Sequence, residues 1–262
     1  MLIDLKGKVA IVTGAGRGVG RTIARTLADE GAIVVGTDIR DDLLEDAGAE
    51  WEQNGWPGAH LLCDVRDKTQ CQAVADAAVE RFDRIDILVN NAGVAGGGPV
   101  EALAEDDWDR NLDVNLKGTF LMCQAVTPVM KRQRWGRIIN AASFAAIIPS
   151  LGAAAYASSK AGVASLTRVL AGELGPSNIT VNCFAPGMIP TDMNRFADAD
   201  PARQEALLDT LSLRQWGDPV DIANLVCFLA SDLASYITGA MIDISGGKFA
   251  TQMPWAAYRK ER

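Results

Sequence analysis

A single histidine, His60, among 262 residues removes whole classes of chemistry before any motif is read. Without a second imidazole the chain cannot build a multi-histidine zinc site or a histidine-based nucleophilic triad. His60, just ahead of Leu61-Leu62, therefore reads as structural, and no metal is expected. Cysteine is sparse too: Cys63, Cys71, Cys123, Cys183 and Cys227 are scattered, odd in number and free of any CxxC pair. That pattern suits reduced thiols packed as small apolar residues, not a disulfide framework. Positive charge is in deficit, 25 Lys and Arg against 33 Asp and Glu for a net charge of −8, so nucleic acid is not an expected partner. The richest basic segment, Lys131-Arg132-Gln133-Arg134 with Arg137, reads as the C-terminal end of a helix, where the dipole favours cations. No apolar run reaches the roughly 20 residues that span a bilayer. The start, Met1-Leu2-Ile3-Asp4, has no signal-peptide pattern. The expected address is the cytoplasm, without a membrane.

What is present is an ordinary globular composition, 48% hydrophobic and 22% charged, at a length that suits one large α/β domain. Lys8 to Thr13 is a β-branched run fit for a strand buried on both faces. It leads into Gly14-Ala15-Gly16-Arg17-Gly18-Val19-Gly20 and then a helical pattern through Ile23, Leu27 and Ala28. Strand, glycine turn and helix N-terminus together make an anion cradle, since amides and dipole both favour a pyrophosphate. The spacing is Gly14-x-x-x-Gly18-x-Gly20; counted from Gly14, Val19 stands where G-x-G-x-x-G needs its third glycine. A second strand, Ala32 to Thr37, ends in Asp38, where a dinucleotide fold sets an acid against the ribose hydroxyls. A carboxylate there repels a 2′-phosphate and favours NAD over NADP, although Arg17 and Arg40 pull the other way.

The alternation continues: helix 43–54, strand 60–63 ending in Asp64-Val65, helix 69–82, strand 86–89 ending in Asn90-Asn91-Ala92-Gly93, a long helix from about 105 to 131 containing Asn115, and strand 136–141 before Ser143. Unbroken alternation predicts a parallel sheet with helices on both faces and ligands at the carboxyl ends of the strands. After a helix around Tyr156 come strand 179–183, Pro186-Gly187-Met188-Ile189-Pro190-Thr191, a helix at 219–230 and a last strand at 240–244. The weakly periodic segment 188–213 is the candidate substrate lid. The tail 251–262, with Trp255 and Tyr258, is expected to be frayed or packed across a subunit boundary.

Tyr156 and Lys160 stand four residues apart, hence on one helical face. A free phenol has a pKa of about 10, too high for proton exchange at neutral pH. An ammonium about 4 Å away in a partly dry site favours the phenolate by roughly 4 kcal/mol, enough to bring it towards 7. The hydroxyl of Ser143 could polarise a carbonyl facing that phenol.

Taken together, Thr13 to Gly20 (TGxxxGxG), Asp64, Asn90 to Gly93 (NNAG), Asn115, Ser143, Tyr156-x-x-x-Lys160 and Pro186-Gly187 resemble the short-chain dehydrogenase/reductase family over nearly the whole chain. The resemblance implies a single-domain Rossmann fold, an α/β doubly wound parallel sheet of about seven strands. It implies that Tyr156 is the acid/base and that Ser143 holds the substrate oxygen. Lys160 would lower the tyrosine pKa and bind the nicotinamide ribose, and Asn115 would support a water leading from the lysine to solvent. Gly14, Arg17, Gly18, Val19, Gly20 and Asp38 would hold the dinucleotide, with Asp64 and Val65 on adenine and Asn91, Ala92 and Gly93 on the ribose side. Ile189 and Thr191 would contact the nicotinamide amide, and Pro186 and Gly187 would also bind the cofactor. A homo-oligomer, dimer or tetramer, is expected through the helices near 105–131 and 153–174.

The expected pocket residues, Ala145, Ile147, Ile148, Ala153, Met188 and Phe196 or Trp216, are nearly all apolar. They favour a neutral secondary alcohol, diol, polyol or ketone, with Arg195 and Arg203 on the lid as cations that could reach an acid. Two other readings compete. One is a 3-oxoacyl-[acyl-carrier-protein] reductase using NADPH, for which Arg134 and Arg17 speak and against which Asp38, Gly172 and the net charge of −8 speak. The other is a non-catalytic dinucleotide-binding regulator on the same fold.

Overall fold

Strand β1 (Val9–Thr13) is buried along its whole length, as its β-branched run requires of a strand covered on both faces. β2 (Ile33–Asp38), β3 (Gly58–Leu62), β4 (Ile87–Asn90), β5 (Gly136–Ala141), β6 (Ile179–Pro186) and β7 (Met241–Ile244) complete the set. In the computed structural model, which describes residues 3–191, 193–194 and 196–261, they form one seven-stranded sheet in the order β3-β2-β1-β4-β5-β6-β7. Every pairing is parallel. The order reverses between β1 and β4, and the crevice outside the carboxyl ends at such a point is where this architecture binds ligands.

The helices are α1 (Gly18–Asp29), α2 (Asp41–Asn54), α3 (Lys68–Phe82), α4 (Glu105–Asn111), α5 (Gly118–Gln133), α6 (Ala154–Leu174), α7 (Pro201–Leu208) and α8 (Pro219–Ala230). Side chains of α1, α2 and α8 share one core with Val12, Val34 and Val89. Those of α3, α5 and α6 share the other, with Ile11, Val35 and Leu88. Alternate residues of the same strands thus feed opposite cores, as a period of two demands. Among the described residues no helix is long and apolar enough to cross a membrane.

The long helix expected over 105–131 is three pieces. Between α4 and α5 the backbone runs as a π-helical turn, Leu112–Lys117, with Asn115 buried inside it. Asn115 Oδ1 accepts from the Val94 amide at 2.8 Å, and its Nδ2 donates to Val94 O and to Ser159 Oγ, each at 3.0 Å. A side chain so tied to two other segments holds the backbone out of the regular ladder, and such π-turns recur at functional sites. The basic run does end a helix: Lys131 and Arg132 lie in the last turn of α5, and Arg134 caps it at φ 55°.

His60 is structural as expected; its ring meets Trp51 edge-on at 4.9 Å, and burial lowers its pKa and keeps it neutral. All five cysteines are buried free thiols, with Cys123 and Cys227 each pushed up to about 12 by burial. In the tail after residue 250, Tyr258 Oη donates to Ser212 O at 2.7 Å, a bond to the chain's own segment before α8.

Candidate active site

The glycine turn is built by contacts too close for side chains. A Cβ on Gly20 would stand 2.0 Å from Gly14 O, and one on Gly14 would stand 3.0 Å from Ala92 Cα. Thr13 Oγ1 accepts from the amides of Asn91 and Ala92, each at 3.0 Å, and Asn91 Nδ2 donates to Thr13 O at 3.1 Å. The end of β4 is thereby clamped to the end of β1, so the amide of Asn91 serves the loop itself. The threonine had a signal in sequence, its place directly before Gly14, but its grip on Asn91 and Ala92 did not.

Gly18 is different: it sits at φ +55°, and a Cβ there would meet nothing within 4 Å. It opens α1, whose N-cap residue, Arg17, is extended and supplies no side-chain cap. The 12-residue helix therefore starts without a side-chain cap on its first amides, the arrangement that takes a phosphate group. Asp38 sits beside this mouth: its Oδ2 accepts from the Gly16 amide at 3.1 Å, and its Oδ1 from the Arg40 amide at 3.2 Å. The guanidinium of Arg40 turns away and forks onto Asp42, with Nε to Oδ1 at 3.0 Å. Val65 is buried where α5 begins, and a Cβ on Gly118 would stand 2.7 Å from its Cγ2. Asp64 is gripped by Arg66, Nη2 to Oδ2 at 2.6 Å, which holds its carboxyl below the usual range. Amide donors, a helix N-terminus and an acceptor at the end of β2 form a donor and acceptor set that fits a dinucleotide.

On the other side of the switch point, Ser143 lies two residues past β5 and accepts from the Ala145 amide at 3.1 Å. The influence of its hydroxyl draws the Tyr156 phenol's pKa down, but burial outweighs it and leaves the phenol above its ordinary value. Lys160 is buried, and its Nζ donates to Ala141 O at 2.7 Å and stands 5.8 Å from the centre of the Tyr156 ring. Burial pushes the ammonium down to about 8. The expected lowering of the phenol by a lysine at about 4 Å is therefore corrected. Helical spacing does put the two side chains on one face, but the cation is taken up by a backbone carbonyl of β5, and desolvation prevails at the phenol. Gly93 lies between Lys160 and Asn115: a Cβ on it would stand 3.6 Å from the Lys160 Nζ and 3.2 Å from Asn115 Oδ1. Asn115, Ser143, Tyr156 and Lys160 thus come together at one sheet edge.

Beyond β6, a Cβ on Gly187 would stand 2.6 Å from Ser245 Cα, so this turn is pressed against the end of β7. Met188 and Ile189 are buried, and Thr191 N–H donates to Asn194 Oδ1 at 3.2 Å. Phe196 stacks on Trp216 with ring centres 6.2 Å apart. Of the expected pocket residues Ala145 and Met188 are buried, whereas Ile147 and Ile148 are exposed beside a fully exposed Leu151. Arg203 is exposed on α7, and Arg195 lies outside the described residues. One cation went unnoticed in sequence. Lys248 donates from Nζ to Thr210 Oγ1 at 2.6 Å and stands 5.4 Å from the centre of the Phe144 ring, next to Ser143. Its only signal was a lysine directly after Gly246-Gly247 at the end of the last strand.

A family model described as Enoyl-(Acyl carrier protein) reductase matches residues 14–248. The chain is 41% identical over 245 residues to a 3-oxoacyl-[acyl-carrier-protein] reductase of Thermotoga maritima, covering 93% of this chain and 98% of that protein. It is 43% identical over 245 residues to a D-threitol dehydrogenase of Mycolicibacterium smegmatis, covering 93% of each. Among solved structures it resembles a gluconate 5-dehydrogenase from Burkholderia cenocepacia in complex with NADP and tartrate, at TM-score 0.91 and 32% identity, covering 95% of this chain and 98% of that one.

Proposed function

This chain belongs to the short-chain dehydrogenase/reductase family and is an NAD(P)-dependent enzyme acting on CH–OH groups, and from that premise we propose that it interconverts a secondary alcohol and a ketone with NAD as the preferred cofactor. The observation that carries the reading is the buried Lys160 on one helical face with Tyr156, its Nζ 5.8 Å from the centre of that ring and held by the end of β5 two residues before Ser143, with Asn115 across Gly93 from it. A bound nicotinamide supplies or accepts the hydride. The chain's own residues do the rest. Ser143 positions the substrate oxygen, and Tyr156 exchanges a proton with it. A phenol above its ordinary pKa is protonated at neutral pH, so in the unliganded protein Tyr156 is set as a proton donor. Lys160, held by Ala141 O, is the cation available to stabilise the phenolate left behind and to reach a ribose hydroxyl. Asn115 fixes the π-turn that places this group.

Preference for NAD rests on Asp38 at the mouth of the glycine turn and on Arg40 being spent on Asp42. Gly14, Arg17, Gly18, Val19, Gly20, Asp64, Val65, Asn91, Ala92, Gly93, Pro186, Gly187, Ile189 and Thr191 complete the cofactor contacts of this reading. Segment 188–213 is its substrate lid, in one domain over 1–262. The apolar pocket residues suit the carbon chain of an alcohol, diol or polyol, in line with the threitol dehydrogenase likeness. A cytoplasmic dimer or tetramer is part of the same proposal. Turnover of a panel of secondary alcohols and diols with NAD and with NADP, followed by absorbance of the reduced cofactor, tests it; no turnover with either would refute it. The likeness to a 3-oxoacyl-[acyl-carrier-protein] reductase favours a second reading, and faster reduction of a 3-oxoacyl thioester with NADPH than of any free ketone with NADH would establish it instead.

A further inference from the structure

We infer that Lys248 forms a subsite for a carboxylate carried by the substrate, so that the alcohol or ketone taken by this enzyme is a small hydroxy or oxo acid. The inference rests on the oxidoreductase reading above and replaces the neutral class expected from the pocket's apolar residues.

The position follows from the sheet. β7 pairs with β6 through Ile244 and Pro186, and β6 with β5 through Phe184 and Ala141. Residues just past these pairs, Ser143, Gly187 and Lys248, share one carboxyl edge. Gly246 and Gly247, at φ +65° and +86°, turn the chain back over that edge. A Cβ on Gly247 would stand 2.5 Å from the Ser212 Cβ, and Ser212 Oγ donates to Gly247 O at 3.0 Å. The strand end is thus pressed on the end of the lid segment, and the Lys248 amide is anchored on Ser245 Oγ at 2.9 Å. From this rigid turn the side chain bridges Thr210 on the lid side and Phe144 beside Ser143.

The electrostatics supply the ligand. Lys248 is half-buried and pairs with no carboxylate among the described residues; its partners are a neutral hydroxyl and an aromatic face. Partial burial of an ammonium without an anion is unfavourable, and the other half-buried cation near the lid, Arg214, has both Glu205 and Asp209. What Lys248 lacks inside the protein, a substrate carboxylate can provide. Its Nζ stands 5.4 Å from the ring of Phe144, the residue after Ser143, so a carboxylate bound there belongs to a small molecule that also reaches the Ser143 hydroxyl.

The test compares wild type, Lys248→Met and Lys248→Arg on sodium salts and methyl esters of 2-, 3- and 4-hydroxy acids of four to six carbons, with a 3-hydroxyacyl pantetheine thioester alongside. Wild type is expected to prefer at least one salt over its ester by about tenfold or more in kcat/KM. In Lys248→Met the KM for that salt should rise roughly 10- to 100-fold relative to the ester, the size of a lost charge-assisted hydrogen bond, while Lys248→Arg keeps the preference. Equal use of salt and ester by wild type, an equal change for both in Lys248→Met, or preference for the thioester would overturn the proposal. Calorimetric binding of the same salts to Tyr156→Phe with NAD present, with and without Lys248→Met, reads the subsite independently of turnover. If wild type oxidises no alcohol, the oxidoreductase reading fails, and the subsite stands or falls on whether Lys248→Met abolishes salt binding.

Discussion

The glycine turn after β1 and the segment after β6 border the same sheet edge, yet they are held in place by different means. In the first, backbone lies on backbone: Gly20 against Gly14 and Gly14 against Ala92, at distances that leave no room for a methyl group. In the second, a 3-10 turn, the short α7 and long exposed stretches hang on a few buried anchors, Met188, Ile189 and Leu211, and on side-chain hydrogen bonds to the ends of β7 and the tail. The first arrangement tolerates almost no change and suits a ligand that never varies. The second can be rebuilt residue by residue, which suits a region that decides which alcohol enters.

Breaking the group where the two regions meet should do the most harm. Tyr156→Phe is expected to lower kcat by roughly 10²- to 10⁴-fold, the usual share of a general acid or base, while NADH titrated by fluorescence binds as before. Retained activity would remove the tyrosine from its role. Next comes the glycine turn. Gly20→Ala forces backbone apart and should cost about 1–3 kcal/mol or more in urea denaturation together with NADH affinity. Gly18→Ala meets open space, and only its left-handed backbone should cost, about 1–2 kcal/mol. Equal losses in the pair would erase the distinction between packing and backbone freedom. A smaller change is expected from Asp38→Ala, which should move the NAD to NADP ratio of kcat/KM towards NADP by about tenfold, some 1.4 kcal/mol.

Lys160 gives a pH signature that sharpens the comparison, because a lysine so dry belongs to the rigid region. Its ammonium titrates near 8 in the folded chain and near 10.5 once unfolded. Between those values the unfolded chain binds more protons, so stability should rise with pH across that window and be level below it. In Lys160→Met this rise should be missing from urea midpoints collected at pH 7 to 10. The smallest effect is expected in the substrate region: Trp216→Ala removes the stack on Phe196, worth about 0.5–1.5 kcal/mol. It should appear in KM for the alcohol and not in NADH affinity.

The fold was legible almost throughout because its strands are short β-branched runs and its helices carry apolar stripes, patterns set by backbone period alone. The exceptions are instructive. The helix over 105–131 read as continuous because its apolar residues kept their spacing, and the π-turn around Asn115 exists only through bonds to Val94 and Ser159, the second 44 residues away. The bond that ties the tail to its own chain was not legible because the acceptor of Tyr258, Ser212 O, is 46 residues upstream. The candidate catalytic residues were legible as types at spacings, with Tyr156 and Lys160 on one helical face and Ser143 just past a strand.

By itself the sequence determined the alternating α/β architecture, the glycine turn, the acid at the end of β2 and the identity of the Tyr, Lys, Ser and Asn brought to one edge. All of these follow from local periodicity and from the few residue types able to do each job. Only the tertiary structure decided what each charge faces: that Lys160 donates a hydrogen bond to a carbonyl of β5, that burial holds the Tyr156 phenol up, and that Lys248 stands half-buried between Thr210 and Phe144 with no anion among the described residues. Desolvation and pairing depend on neighbours brought from distant parts of the chain, and no spacing along the chain records them.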